Sequence, residues 1–276
     1  MNDSEKKGQD KKANYMNSVP AVDEAAKILL CLAKSPALKM NLTDICEIVG
    51  IYKSKGYSLL NTLQKYGFVQ KDAVGKMYYL GLGLIPLSRR VLDNLNYNEL
   101  VDPFLSALTR ETHSTALFGL INGKDTFIVA KRETDANIGI TTRVGHRFNF
   151  TNGAHGKAIV AFMDKEERKK ILKSKDLFFH GLPSKLDRKR LEVEFEQCRK
   201  QGFGSDLGES IPGMNILAAP VFDSGSTPIG SIFIMGTFPE SKVQDYGIVV
   251  ARCARQLSAR LGANLEQAYM IPEMDI

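Results

Sequence analysis

The sequence predicts an α+β chain in two parts, an N-terminal winged helix-turn-helix and a C-terminal domain built on an antiparallel sheet. Three observations carry that expectation. From Asn41 to Leu80 the apolar pattern runs helix, tight turn, helix, strand, strand. After residue 97, short β-like runs are joined by turn signals such as Asn122-Gly123, with helical stretches gathered around them. A length of 276 residues, 43% of them apolar, exceeds one small domain and suits two with real cores.

Met1 to Asn17 is polar and of mixed charge, unable to bury enough surface to fold, so residues 1–17 are expected to be a disordered tail. Residues 18–81 form the winged helix-turn-helix. From Pro20 onward Val22, Ala26, Leu29 and Ala33, with Ile28 and Leu32 beside them, mark an amphipathic helix that ends before Pro36. Thr43 to Val49 reads as a short helix with Ile45, Ile48 and Val49 on one face, and Gly50 ends it by adopting the left-handed conformation cheaply. Lys53 to Tyr66 repeats Leu59, Leu60 and Leu63 at helical spacing, and Gly67 stops it. Phe68-Val69 and Met77 to Leu80 then flank a basic tip from Lys71 to Lys76.

The second helix of that unit has the dimensions of the major groove. Lys53, Ser54, Lys55, Tyr57, Ser58 and Asn61 occupy its start and solvent side, and with Lys76 on the wing they are the candidate DNA-binding residues. Ammonium, hydroxyl and amide groups supply the donors that phosphates and base edges need. Lys53, Lys55 and Lys76 are expected to neutralise phosphates. The segment from Gly50 to Lys76 holds five lysines against one acid, Asp72. Residues 1–81 hold twelve Lys and Arg against eight Asp and Glu, a net +4 of the chain's formal +6, an asymmetry that suits nucleic acid. A solvated helix face on an unrelated domain is the bland alternative.

Residues 82–96 read as a linker helix. Leu84, Leu87, Val91 and Leu95 form its stripe, Arg89 and Arg90 lie on the other face, and Pro86 is tolerable in the first turn. The stripe packs on its own wing domain or on a second subunit. A lone winged helix reads few base pairs, so a homodimer at least is expected, on a pseudo-palindromic site.

Residues 97–268 form the second domain, and 269–276 a tail. Its expected elements begin with a helix over Glu99 to Glu111 and strands over Thr115 to Ile121, Lys124 to Ala130 and Asn137 to Thr142. Gly156 to Phe162 is a helix, and Asp164 with Glu167 makes a capping box for Glu166 to Lys173. Asp187 caps a helix whose Leu191, Phe195 and Cys198 share a face before Gly202. Strands Ile216 to Phe222 and Ile229 to Met235 flank the turn Asp223-Ser224-Gly225, and a final helix runs from Ser241 to Leu265.

Several chemistries find no support. Gly153-Ala154-His155-Gly156-Lys157 resembles a phosphate loop, but Thr151 and Ala158 stand where that pattern needs Gly and Ser or Thr. His113, His146, His155 and His180 lack helical partners for a metal, and neither GxGxxG nor GxSxG occurs, so no cofactor, metal or catalytic centre is expected. Cys31, Cys46, Cys198 and Cys253 form no CxxC pair and read as buried free thiols in a reducing compartment. No signal peptide or membrane-length apolar run is present, so a cytoplasmic protein without a membrane partner is expected, and its two Asn-x-Thr triplets carry no meaning. His155 is set between two glycines at the start of a helix, where it either helps hold a small anion or bonds the loop backbone. Asp206 is either a ligand contact or a turn-former.

Over Val19 to Leu265 the chain resembles the IclR family of bacterial transcription regulators. The likeness lies in Leu42-Thr43-Asp44-Ile45, Gly50-Ile51, Lys53-Ser54, Leu59-Leu60-Asn61-Thr62-Leu63, Tyr66-Gly67-Phe68-Val69 and Tyr78-Tyr79-Leu80-Gly81. It resumes in Arg143-Val144-Gly145, Gly156 to Phe162, Arg199 to Phe203, Gly213 and Ala218 to Asp223. The resemblance implies a winged helix for operator DNA, a GAF-like domain for a small effector, and dimers or dimers of dimers. It implies an effector pocket at Ala154, His155, Asp206, Met214, Ile216, Phe233 and Met235. The last two are serines in relatives resembling glyoxylate or pyruvate binders, so their bulk here points to an aromatic or longer-chain carboxylate, or to an effector-blind pocket. Lys55, Gly56 and Ser58 also depart from the family pattern, Gly56 as tolerated drift or as room for a DNA backbone. The expected function is an effector-controlled DNA-binding regulator, not an enzyme. The alternative is a ligand-binding or catalytic domain with a vestigial winged helix.

Overall fold

The computed structural model describes residues 19–72, 74, 76–95, 97–134 and 142–269. The chain divides into two compact units, Met1–Asn94 and Leu95–Ile276.

In the first unit α1 (Pro20–Lys34), α2 (Leu42–Val49) and α3 (Lys53–Lys65) surround a core of Ile28, Leu32, Ile45, Leu60 and Leu63. Strands β1 (Val69–Lys71) and β2 (Tyr78–Leu80) pair antiparallel, with Val69 opposite Leu80, and close the core through Val69 and Tyr78. Met40 bridges to Tyr78, tying the loop before α2 to the wing. Asn41 caps α2 by accepting the Asp44 N–H, and Gly50 ends it at φ 75°. Ile48, expected inward, is 67% exposed, while Cys46 is buried. Leu42, Ile45, Cys46 and Val49 centre the buried face, and at helical pitch Ile48 lies about 110° from that centre. Val22 is likewise exposed; the inward stripe of α1 is Ala25, Ile28, Leu29 and Leu32. Helix α4 (Leu84–Leu95) takes Pro86 in its first turn, with Ile85 and Leu87 exposed. The Val91 and Leu95 side chains, the residues 1–17 expected as a tail and the Gly75 tip lie outside the description.

The second unit opens with α5 (Tyr97–Thr112) and continues through β3 (Thr115–Asn122), β4 (Asp125–Arg132), β5 (Arg147–Asn149), α6 (Gly153–Ala161), α7 (Lys165–Leu172) and α8 (Arg188–Gln201). It ends with β6 (Gly204–Leu207), β7 (Asn215–Phe222), β8 (Pro228–Gly236), α9 (Val243–Arg260) and α10 (Leu265–Ala268). The six strands form one antiparallel sheet in the order β5-β4-β3-β8-β7-β6. Alternation sends Ala116, Phe118, Ala219, Ile232 and Ile234 to the face covered by α5 and α9. Leu117, Ala218, Phe233 and Met235 face α6.

Two short strands, β5 and β6, were not anticipated, and the strand expected over 137–142 lies outside the described residues except Thr142, which is not in a strand. Helix α6 starts three residues earlier than expected, at Gly153, which puts His155 within its first turn. The last long helix stops at Arg260 and not at Leu265, because Gly262 turns left-handed at φ 89° and Asn264 caps the new helix α10. Tyr269 is no tail residue. Buried against Phe222 and Phe162, it donates its hydroxyl to the Pro220 carbonyl at 2.8 Å.

Candidate functional site

The first candidate surface is the outer side of α3. Leu60 and Leu63 hold the helix to the core, leaving Lys53, Ser54, Lys55, Tyr57, Ser58 and Asn61 exposed. Gly56 is not on that surface. It is buried, and a Cβ built there would overlap the Cys46 sulfur, so its role is the close packing of α3 on α2 and not room for DNA. Two candidate donors are already engaged within the protein. Ser58 Oγ donates to the Ser54 carbonyl at 3.1 Å, and Lys55 Nζ lies 2.7 Å from Glu24 Oε1. Lys55 is therefore not the unpaired cation that its sequence neighbours suggest. On the wing, Lys76 is exposed with φ 50°, and Lys71 Nζ sits 5.2 Å above the Tyr78 ring. Asp72, the one acid of the segment, takes the Lys39 ammonium at 3.0 Å.

The second candidate site is a cavity of about 130 Å³ between the sheet and the start of α6. Phe233 and Met235 of β8, Ile216 of β7, Phe148 of β5 and Ile211 give it an apolar wall. Ala154 and His155 stand at its floor, with Asn152 and Ser210 as polar neighbours. First-turn amides such as those of Ala154 and His155 have no carbonyl one turn back to donate to, which leaves them for a ligand.

His155 is 3% exposed, and both of its ring nitrogens are engaged: Nε2 with Thr126 Oγ1 at 2.7 Å, Nδ1 with Ser231 Oγ at 2.5 Å. Burial pushes its pKa down to about 3, so the ring is neutral at physiological pH. Two hydroxyls, each able to donate or accept, suit the one donor and one acceptor of a neutral imidazole. His155 therefore supplies an aromatic wall, packed edge-on at 5.0 Å from Phe148 and 5.9 Å from Phe233, and no positive charge. Gly119 makes room for Thr126, the partner of His155, since a Cβ there would stand 2.8 Å from the Thr126 methyl.

Asp206 and Met214 do not line the cavity. Asp206 is buried and accepts the Glu209 and Ser210 N–H groups and the Ser210 hydroxyl, the bonding of a turn-former. Met214 is partly buried and packs against the apolar cluster that includes Ile216, Phe233 and Met235. The cavity thus gathers Ala154, His155, Ile216, Phe233 and Met235 of the expected set. Sequence reasoning missed Phe148, Ser210, Ile211, Thr126 and Ser231. Ser231 did carry a signal, as a lone hydroxyl in an apolar strand run, whereas Thr126 looks like any strand threonine.

Behind the cavity rim lies a buried ion network. Lys157, 2% exposed, places Nζ 3.0 Å from Glu194 Oε1 and 3.3 Å from the Ser205 carbonyl. His180 Nδ1 accepts the Asp187 N–H, so Nε2 carries the proton donated to Glu194 at 2.9 Å. Arg190 grips both oxygens of Glu209, next to the cavity residue Ser210. The network thereby anchors one side of the cavity to α6 and α8.

A second hollow of about 690 Å³ runs along α7, past Lys124, Lys170 and Phe150. It is larger, but its charged residues are exposed, and the hydroxyl of its buried Thr151 is already bonded to Asn149 and to the Phe178 N–H. Among the described residues no helix is long and apolar enough to cross a membrane.

A winged helix with a polar, cationic recognition face, on the same chain as a sheet domain enclosing a small apolar cavity, defines a DNA-binding regulator. Residues 21–73 match the IclR helix-turn-helix domain, and residues 89–259 match the bacterial transcriptional regulator IclR C-terminal domain. The chain belongs to the IclR family of DNA-binding transcription regulators. It is 27% identical over 249 residues to the transcriptional regulator KdgR of Escherichia coli, covering 89% of this chain and 94% of that protein. The IclR structure from Thermotoga maritima superposes with a TM-score of 0.68 at 27% identity, over 88% of this chain and 99% of that one. An IclR homologue from Microbacterium hydrocarbonoxydans, solved with 4-hydroxybenzoate, shares the fold with a TM-score of 0.73 at 13% identity, over 87% and 98% of the two chains.

Proposed function

We propose that this regulator reads its operator with α3 and the wing and that a small organic acid in the cavity of the second unit controls its affinity for DNA. Lys53, Ser54, Tyr57 and Asn61 form the reading face with Ser58 at its edge, and Lys76 neutralises a phosphate from the wing. The observation that carries the effector reading is the cavity itself. A site of roughly 150 Å³ accepts benzene, so about 130 Å³ suits one ring or a short chain. The acid's body rests on Phe148, Phe233 and Met235, and its carboxylate meets the Ala154 and His155 amides beside Asn152. His155 itself contributes no charge, because its ring is neutral. That a distant homologue was solved with 4-hydroxybenzoate agrees with an aromatic acid as the ligand type.

The effector acts by binding two arrangements of the protein unequally, not by touching DNA. The protein works in the cytoplasm as a homodimer or dimer of dimers, a reading supported by the exposed Ile85 and Leu87 on α4. Sedimentation at micromolar concentration checks the assembly, and a monomer with full DNA affinity would refute it. A calorimetric screen of aromatic and short aliphatic acids tests the cavity. Phe233→Ser should weaken an aromatic acid at least tenfold and relatively favour pyruvate. If the wild type prefers glyoxylate or pyruvate, or binds no acid, the effector reading falls.

A further inference from the structure

Lys55 is held unlike its neighbours on the α3 face. Its ammonium is 2.7 Å from Glu24 Oε1, on α1, and the Glu24 side chain is only 17% exposed. The second oxygen, Glu24 Oε2, is buried and finds no hydrogen-bond partner among the described residues. A carboxylate so placed depends on Lys55 for its charge balance. Withdrawing Lys55 to a phosphate would leave a half-desolvated anion unpaired beside a polyanion, a cost from burial and repulsion together. Lys55 also occupies the third position of α3, in the N-terminal turn that meets base edges in helix-turn-helix proteins. An ammonium has three donors; Glu24 takes one and leaves two.

We propose that Glu24 positions Lys55 as a base reader, so that Lys55 selects sequence and adds nothing to phosphate neutralisation. The inference rests on α3 being the helix that enters the major groove. The remaining donors face major-groove acceptors, such as guanine O6 and N7 or thymine O4. Because the pair is neutral overall, it releases no counterions when DNA binds.

The test uses the full chain, a random double-stranded DNA library, and salt titrations on the enriched sequence. Lys55→Met should cut the preference at one base pair of the selected motif on the order of tenfold and, by leaving the Glu24 charge unbalanced, make the salt slope shallower by up to about 0.9. Glu24→Gln should relax the same base pair and, by unbalancing the Lys55 charge, steepen the slope by up to about 0.9. The double variant buries no unpaired charge, so it serves where Lys55→Met alone folds poorly. It should keep the wild-type slope and the relaxed base pair. A motif untouched by Glu24→Gln overturns the proposal, as does a Lys55→Met slope about one unit shallower with the motif intact. If the wild type enriches no sequence at all, it is the reading of α3 that fails first.

Discussion

The two units place their candidate binding residues differently with respect to their own hydrophobic cores. In the first, the core of Ile28, Ile45 and Leu60 faces inward and the candidate reading residues face water. In the second, the working surface is internal: Phe233, Met235 and His155 enclose a cavity while the outer shell only supports them. Lysines show the contrast most clearly. Lys53 stands exposed on α3, whereas Lys157 is sealed into a network with Glu194, His180 and Ser205. A cation in water costs little to hold and little to lose; one removed from water must be partnered and then becomes structural.

Removing Lys157 should therefore be the most damaging of these changes. Lys157→Met is expected to cost about 3 kcal/mol, the low end for breaking a buried pair, because Glu194 keeps His180 and Arg190. Chemical denaturation followed by a probe in the second unit measures it, and a loss under 1 kcal/mol would make Lys157 resemble the exposed lysines.

Next in size is the buried imidazole. His155 titrates near 6.5 when unfolded and near 3 when folded, so the unfolded chain binds more protons over that range. The contribution of the neutral ring is complete above pH 6.5 and is lost as pH falls. Between pH 7 and pH 5 about 2 kcal/mol of stability should disappear. His155→Gln should remove that share of the pH dependence in urea titrations, and an unchanged profile would mean the ring protonates in place.

In the first unit the test is steric. Alanine in a helix is better than glycine by about 1 kcal/mol, but a Cβ at Gly56 overlaps the Cys46 sulfur, and such overpacking costs about 1–3 kcal/mol. Gly56→Ala should then lose about 1 kcal/mol in the wild type yet gain stability in a Cys46→Ala background. A gain in both backgrounds would show that the sulfur yields freely. Lys53→Ala should be the mildest, changing stability by under about 0.5 kcal/mol while flattening the slope of log affinity against log salt by about 0.9. A steep slope retained in that variant would take Lys53 off the phosphate backbone.

How much was legible in advance follows the same division. Leu59, Leu60 and Leu63 place α3 by period alone, and the hairpin at Asn122-Gly123 and the caps at Asp164 and Asp187 rest on neighbours in sequence. Errors came where a face is wider or narrower than its apolar letters suggest, as at Ile48 and Val22. The β5 and β6 strands are three and four residues long, too short to show a period.

The sequence by itself determined the order of elements, the winged helix, the basic excess of the first unit and the α+β class, because helix period, turn residues and charge are local quantities. Only the tertiary structure decided that His155 is neutral, that Asp206 serves its own turn, that Gly56 packs on Cys46 and that Lys55 belongs to Glu24. His155 depends on Thr126 and Ser231, and Lys55 on Glu24, far along the chain from the groups they satisfy. Asp206, by contrast, bonds Glu209 and Ser210 a few residues on, in a turn that the sheet has buried. Solvent removal and partner geometry set the chemistry of a polar side chain, and both exist only once distant segments have come together.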